Sequence, residues 1–217
     1  MKSIAFSKTY ADGFRLEMPA LELEPGRITA VIGANGSGKS TLARVLAGID
    51  RADRGVRPLD AGTSAYLPQR PFAFRMREER NILLGGKDPA RFSELTAALG
   101  LNGLLHRRAK ALSGGETAKM ALARLLMGSF PLLILDEPTA AMDEESTLAA
   151  ETLLRRRCAE EDSAILLITH SLSQAHRIAD SMLFLRNGRL IEQGSADRLL
   201  SAPESGELKR FLDFCRA

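Results

Sequence analysis

No apolar run in the chain approaches the roughly 20 residues that a helix needs to span a bilayer. The longest, such as Ile165 to Ile168, are only a few residues long, so nothing here crosses a membrane by itself. Met1-Lys2-Ser3-Ile4-Ala5-Phe6-Ser7-Lys8 carries an early charge with no continuous apolar stretch behind it. No secretory signal is read there, and the expected location is the cytoplasm. Cysteine is scarce: Cys158 and Cys215 show no metal-ligand spacing and fit reduced cytosolic thiols better than a disulfide framework. Low-complexity tracts and internal repeats are missing, which excludes solenoids. Charge of one sign is also missing. Thirty Lys and Arg face 27 Asp and Glu, for a net charge of +3. The basic run Arg155-Arg156-Arg157 is followed at once by Glu160-Glu161-Asp162, as on a solvated helix face, and no nucleic-acid partner is expected.

What remains is ordinary globular material: 217 residues, 45% hydrophobic and 26% charged. That suits one domain, or one domain with a grown insertion. Residues 4 to 7 and 14 to 23 alternate as strands around the turn-like Ala11-Asp12-Gly13. Ile28-Thr29-Ala30-Val31-Ile32 is a buried parallel-strand run, followed by a glycine-rich turn and a helix over Thr41 to Ala47. Further buried strands are expected at Leu132 to Leu135 and Ile165 to Ile168, with a helix from about Glu144 to Ala159 between them. Met182 to Leu185 and Arg189 to Glu192, separated by Asn187-Gly188, read as a hairpin. Residues 72–130 read as helices (about 76–84, 89–99 and 115–127) without a strand. The fold class is therefore α/β, a mainly parallel sheet flanked by helices, with a small antiparallel β region and an α-helical insertion. In this reading 1–71 and 131–217 form the core and 72–130 the helical part.

Gly33-Ala34-Asn35-Gly36-Ser37-Gly38-Lys39-Ser40 fits G-x-x-x-x-G-K-[ST] between a strand and a helix, the phosphate loop of P-loop NTPases. Its glycines let the backbone turn several N–H groups inward onto phosphate oxygens, and the following helix adds its positive end. Asn35, Gly36, Ser37, Gly38, Lys39, Ser40 and Thr41 are thus candidate nucleotide contacts. Lys39 would reach the β- and γ-phosphates and the Ser40 hydroxyl would ligate Mg²⁺. Leu132-Leu133-Ile134-Leu135-Asp136-Glu137 is an apolar strand ending in two carboxylates. Beside a phosphate loop, Asp136 would hold Mg²⁺. Glu137, pointing in a different direction, would polarise an attacking water.

Leu112-Ser113-Gly114-Gly115-Glu116, ahead of Asp136, resembles the signature of ATP-binding-cassette (ABC) ATPases. The resemblance runs on through Ala121-Leu122-Ala123-Arg124 and Asp136-Glu137-Pro138-Thr139 to Ile168-Thr169-His170, in the family's order and over nearly the whole chain. It implies a role for several further residues. Tyr10 stands where the family stacks an aromatic on adenine, and Phe14 is near enough to compete for that place. Gln69, in Tyr66-Leu67-Pro68-Gln69, matches the glutamine that touches Mg²⁺ and the attacking water. His170 matches the histidine at the γ-phosphate, and Asp143, in Ala140-Ala141-Met142-Asp143, the loop that crosses to a partner cassette.

Ser113, Gly114, Gly115 and Glu116 open a helix away from their own phosphate loop, and the family's solution is a head-to-tail dimer in which each signature caps the partner's ATP. Departures from the pattern are Glu116 for glutamine, Lys119 for arginine, Ala140 for serine and Ser171 for aspartate. The stretch from Gly48 to Tyr66 is also compressed.

A single set of motifs excludes tandem-cassette translation factors, and too few residues separate Lys39 from Ser113 for the long coiled-coil relatives. The resemblance implies an ATPase subunit, peripheral on the inner face of the cell membrane. It would serve separate permease subunits and, through them, a solute-binding protein. Its partner cassette would be a second copy or a related ATPase. Ser171 to Asp180 and Gly188 to Gly194 look most like oxyanion (tungstate, molybdate, phosphate) or amino-acid importers. A stand-alone ABC ATPase in cofactor assembly or envelope division is the alternative. Phe72, Phe74 and Met76 would receive a permease helix, or else pack the insertion's own core.

Overall fold

Five consecutive buried residues, Ile28–Ile32, form the third strand (β3) and the centre of the sheet. Such a run is stable only where both faces are covered, and here they are. The computed structural model describes residues 5–55 and 64–216. Ile4 and residues 56–63 of the compressed stretch after Gly48 lie outside the described residues. The strands are β1 (Phe6–Thr9), β2 (Arg15–Met18), β3, β4 (Ser64–Leu67), β5 (Leu132–Asp136), β6 (Ala164–Ile168), β7 (Ser181–Arg186) and β8 (Arg189–Ser195). They form one sheet in the order β1-β2-β8-β7-β3-β6-β5-β4. The pairs β1/β2 and β7/β8 are antiparallel and the others parallel.

The period of two along each strand sorts the core into two layers. Val31, Ile134, Leu166 and Leu185 face α1 (Lys39–Leu46), whose Leu42 and Leu46 are fully buried against them, and the β1–β2 hairpin. Ala30, Leu133, Leu135 and Leu167 face the opposite layer, which includes α4 (Gly114–Met127) and α5 (Glu144–Glu161). The helices α6 (Leu172–Ile178), α7 (Ala196–Ser201) and α8 (Gly206–Arg216) complete that side. Between β4 and β5 lie α2 (Glu78–Ile82), α3 (Pro89–Ala98), a 3-10 turn at Ala109–Ala111 and α4, with no strand among the described residues.

Several element ends follow from local chemistry. Asp88 caps α3 by accepting from Ala90 and Arg91 N–H, with Pro89 at the first helical position, where its missing N–H costs nothing. The β7–β8 turn uses Asn187 (φ 49°) and Gly188 (φ 74°), the two positive φ values that a tight hairpin matching strand twist requires. The strand expected over 14 to 23 shortens to Arg15–Met18, ending before Pro19, which has no N–H for a ladder.

Parallel pairing places the carboxyl ends of β3, β5 and β6 side by side, with Val31 and Asp136 both opposite Ile168. In open α/β sheets that edge is where ligands bind.

Candidate active site

The phosphate loop leaves β3 at Gly33, and its conformation is reserved for glycine. Gly33 has φ 148°, and a Cβ there would stand 2.2 Å from the Leu185 carbonyl oxygen. Gly38 (φ 105°) turns the chain into α1. Lys39 is buried, and its ammonium donates to the Gly33 and Ala34 carbonyls at 2.7 and 2.9 Å. Burial pulls its pKa down, opposed by the negative charges of Glu137 and Asp136.

Asp136, at the end of β5, is almost fully buried. Burial pushes its carboxyl up, against hydrogen bonds from Ser40 and Tyr66 that pull it down. The Tyr66 hydroxyl, on β4, lies 3.3 Å from Asp136 Oδ2 and is itself pushed up, by burial first and then by Asp136. The adjacent Glu137 has φ 51°, a left-handed conformation rare for a residue with a long side chain. Its N–H donates to the Ile168 carbonyl at 2.9 Å, which holds this conformation in place. Such a backbone outlier at a strand end costs on the order of 1–3 kcal/mol and is found mainly at functional sites. Glu137 Oε2 accepts from Gln69 Nε2 at 3.0 Å and lies 3.2 Å from His170 Nδ1.

These groups edge a cleft of about 470 Å³ whose walls include Asn35, Gly36, Gly38, Lys39, Ser40, Thr41, Gln69 and Glu137. Tyr10, Asp12, Phe14 and Arg44 form its other end. The Tyr10 and Phe14 rings sit 6.4 Å apart, so the structure brings both competing aromatics to the same place. The Tyr10 hydroxyl bonds Asp50, which also accepts from Arg44 at 2.9 Å. Several predicted contacts stand apart from this wall: Ser37 lines a neighbouring hollow, Asp136 lies behind Ser40 and Tyr66, and His170 joins only through Glu137.

Ser113, Gly114, Gly115 and Glu116 do not line the cleft. Ser113 Oγ accepts from Glu116 N–H at 3.2 Å, and Glu116 Oε2 accepts from Ser113 N–H at 2.6 Å, a reciprocal capping box at the start of α4. Those bonds hold the Glu116 carboxyl below its ordinary value. Asp143 caps α5, accepting from Ser146 N–H at 2.8 Å, and Lys119 reaches Ser146 Oγ at 3.0 Å. The signature helix and the crossing loop are therefore tied within one chain.

Sequence reasoning missed three things here: Asp50 and Arg44 beside Tyr10, the backbone of Glu137, and a buried network behind His170. In that network Glu151 on α5 accepts two bonds from Arg177, at 2.8 and 2.7 Å, and one from Gln174 at 3.2 Å. Gln174 also donates to Thr139 Oγ1 at 2.9 Å. A glutamate at a core-facing position of α5 was the one available signal.

The family model described as ABC transporter matches residues 16–140, more than half of the chain. The chain belongs to the ABC transporter family. It is 37% identical over 176 residues to the aliphatic sulfonates import ATP-binding protein SsuB 1 of Pseudomonas fluorescens, covering 80% of this chain and 68% of that one. It is 32% identical over 233 residues to the molybdate/tungstate import ATP-binding protein WtpC of Pyrococcus horikoshii, covering 99% of this chain and 67% of that one. A solved structure titled as an ATP-binding subunit of an ABC transporter superposes with a TM-score of 0.82 at 25% identity, covering 100% of this chain and 99% of the other. As an ABC family ATPase the chain binds ATP and hydrolyses it in support of transport. Among the described residues, no helix of this ABC protein is long and apolar enough to cross a membrane.

Proposed function

We propose that this chain is the ATP-hydrolysing subunit of an ABC importer, bound to permease subunits at the cytoplasmic face of the membrane and working as a head-to-tail pair of cassettes. The observation that carries this reading is the convergence of Gln69 and His170 on Glu137 at the mouth of the phosphate loop. Lys39 and the loop N–H groups bind the phosphates. Glu137 accepts the proton of the attacking water, Gln69 orients that water, and His170 hydrogen-bonds the γ-phosphate. Ser40 and Asp136 offer hard oxygen donors side by side, a set that suits Mg²⁺, an ion that keeps most of its waters and takes few protein ligands. Bound Mg²⁺ would neutralise charge on the phosphates. Tyr10 and Phe14 receive the adenine ring.

Because the signature residues stand off their own cleft, a partner's Ser113 to Gly115 must complete each site, its helix N-terminus facing the γ-phosphate. Phe72 and Phe74 support the permease contact. Both are exposed, stacked edge to face at 5.0 Å, and held where Arg124 bonds the Phe72 carbonyl at 2.8 Å. The aromatics therefore present apolar surface outward instead of packing the insertion's core, whereas Met76 is half-buried. Residues 1–217 act as one cassette, 72–130 being its helical part. Import, rather than export, rests on the naming of the relatives above, and the solute itself is selected outside this subunit.

A single cysteine at position 72 or 74, in a chain whose exposed Cys215 has been replaced, tests the assignment. Cross-linking in cells should capture an integral membrane protein. Capture of soluble proteins alone would favour a stand-alone ATPase.

A further inference from the structure

A second cavity, of about 330 Å³, shares Asn35 with the nucleotide cleft and otherwise has its own walls. Ser37 of the phosphate loop, Arg186 at the end of β7, and Arg210, Phe211 and Phe214 of α8 face it. Three features of these side chains are not used by the hydrolytic site described above. Ser37 is only 3% exposed, yet its hydroxyl has no hydrogen-bond partner, and buried polar side chains almost always have one. Arg210 is exposed and makes no ion pair among the described residues, while Arg186 approaches Glu207 only to 3.9 Å. Phe214 is 82% exposed, the largest such value among the big apolar side chains described.

Two guanidinium groups, which only donate hydrogen bonds, thus stand with a buried hydroxyl and an aromatic wall around one hollow. Phe211 is anchored in that wall by Phe184, with rings 5.2 Å apart. We propose that this cavity binds a small organic anion: a carboxylate, sulfonate or phosphate ester carried on an aromatic or branched apolar body. The arginines take the acidic group, and Phe211 and Phe214 cover the body. The volume stands at the small end of ligand pockets, enough for one ring system and its acid group. The two cavities share only Asn35, so anion and nucleotide bind together. The occupant would sit against the loop itself, since the Ser37 carbonyl accepts from Gly188 N–H at 3.0 Å and Gly38 and Lys39 follow directly.

The test is calorimetric titration of the full chain with 1-naphthalenesulfonate, with and without a saturating non-hydrolysable ATP analogue. One site per chain should appear under both conditions. Arg210→Ala and Phe214→Ala change exposed side chains, so fold and basal ATP hydrolysis stay intact, while affinity for the probe should fall at least about tenfold. Inorganic sulfate, lacking the body, should bind far more weakly. The proposal is overturned if the nucleotide analogue displaces the probe, if both substitutions leave its affinity within about twofold, if sulfate binds as well, or if millimolar probe gives no binding heat.

Discussion

Gln69 Nε2 donates to Glu137 Oε2 at 3.0 Å, so the first residues of the segment that leads into the helical part touch the carboxylate at the end of β5. The same oxygen lies 3.2 Å from His170 Nδ1. Any movement of the helical segment that pulls Gln69 away therefore changes the surroundings of the acid proposed to activate water. Glu137→Gln keeps the size and the hydrogen bonds but removes the proton acceptor. Phosphate release should fall about 10²–10⁴-fold, the usual contribution of a positioned base, with ATP still bound. Gln69→Ala should slow release by less, roughly tenfold, also without loss of ATP binding. Near-normal turnover in Glu137→Gln would remove that residue from the mechanism.

Lys39→Ala separates binding from folding. The ammonium is held by two backbone carbonyls of its own loop, which can turn to water when it is gone. Charge-assisted hydrogen bonds contribute about 1.5–3 kcal/mol each, so affinity for ATP should drop about ten- to a hundredfold or more. The thermal midpoint without nucleotide should stay within a few degrees. Equilibrium titration and a melting curve on the same sample read both quantities.

Two neighbouring glycines distinguish a residue packed against its own chain from one that the proposed dimer would turn toward a partner. A Cβ on Gly115 would stand 2.6 Å from the Ala141 carbonyl oxygen, whereas a Cβ on Gly114 would meet nothing within 4 Å. Gly115→Ala should lower thermal stability and displace the crossing loop. Gly114→Ala should leave stability unchanged or slightly raised, because alanine is the better helix former. Hydrolysis should nonetheless fall in Gly114→Ala, since in the proposed shared site the open space beside it receives the partner's nucleotide. Full activity in that variant would count against the shared site.

The elements that were legible in the sequence are those where one signal dominates. The runs Ile28–Ile32, Leu132–Asp136 and Ala164–Ile168 are apolar throughout because both faces are covered, and Asn187-Gly188 can make little but a tight turn. The short Ser64–Leu67 strand passed unread. Its first three residues are only half-buried, and its pairing with β5 is a tertiary fact. No element is expected in the tail after Ser195, yet it holds α7 and α8, six and eleven residues long. Helices that short take their stability from docking, not from periodicity. Phosphate-loop residues, Asp136 and Glu137 declared themselves by pattern. That Tyr10 bonds Asp50, or that Glu137 takes a positive φ, depends on contacts between segments far apart in the chain.

Glu78 makes stability depend on pH. It is fully buried at the start of α2, neither carboxylate oxygen has a partner, and its pKa is pushed up to about 7, by burial first and then by Glu116. Arg107 and Lys119 pull it partly back. The native state therefore holds a proton that the unfolded chain releases near 4.5. Its contribution is fully present below pH 4.5 and is lost as pH rises to about 7. At 1.36 kcal/mol per pH unit that loss is about 3 kcal/mol. Urea unfolding at pH 5 and pH 8 should show wild type losing stability over this interval by that order more than Glu78→Gln. An equal change in both proteins would mean that Glu78 ionises as freely folded as unfolded.

The most direct test of the central claim, that two chains build each ATP site between them, is light scattering of Glu137→Gln protein with and without MgATP. Nucleotide that binds at an interface favours the associated species by mass action. The variant should move from monomer to dimer when ATP is added, and Ser113→Arg placed in the same background should block the shift while ATP still binds. A Glu137→Gln protein that remains monomeric at high concentration in saturating MgATP would contradict a site shared between two copies of this chain.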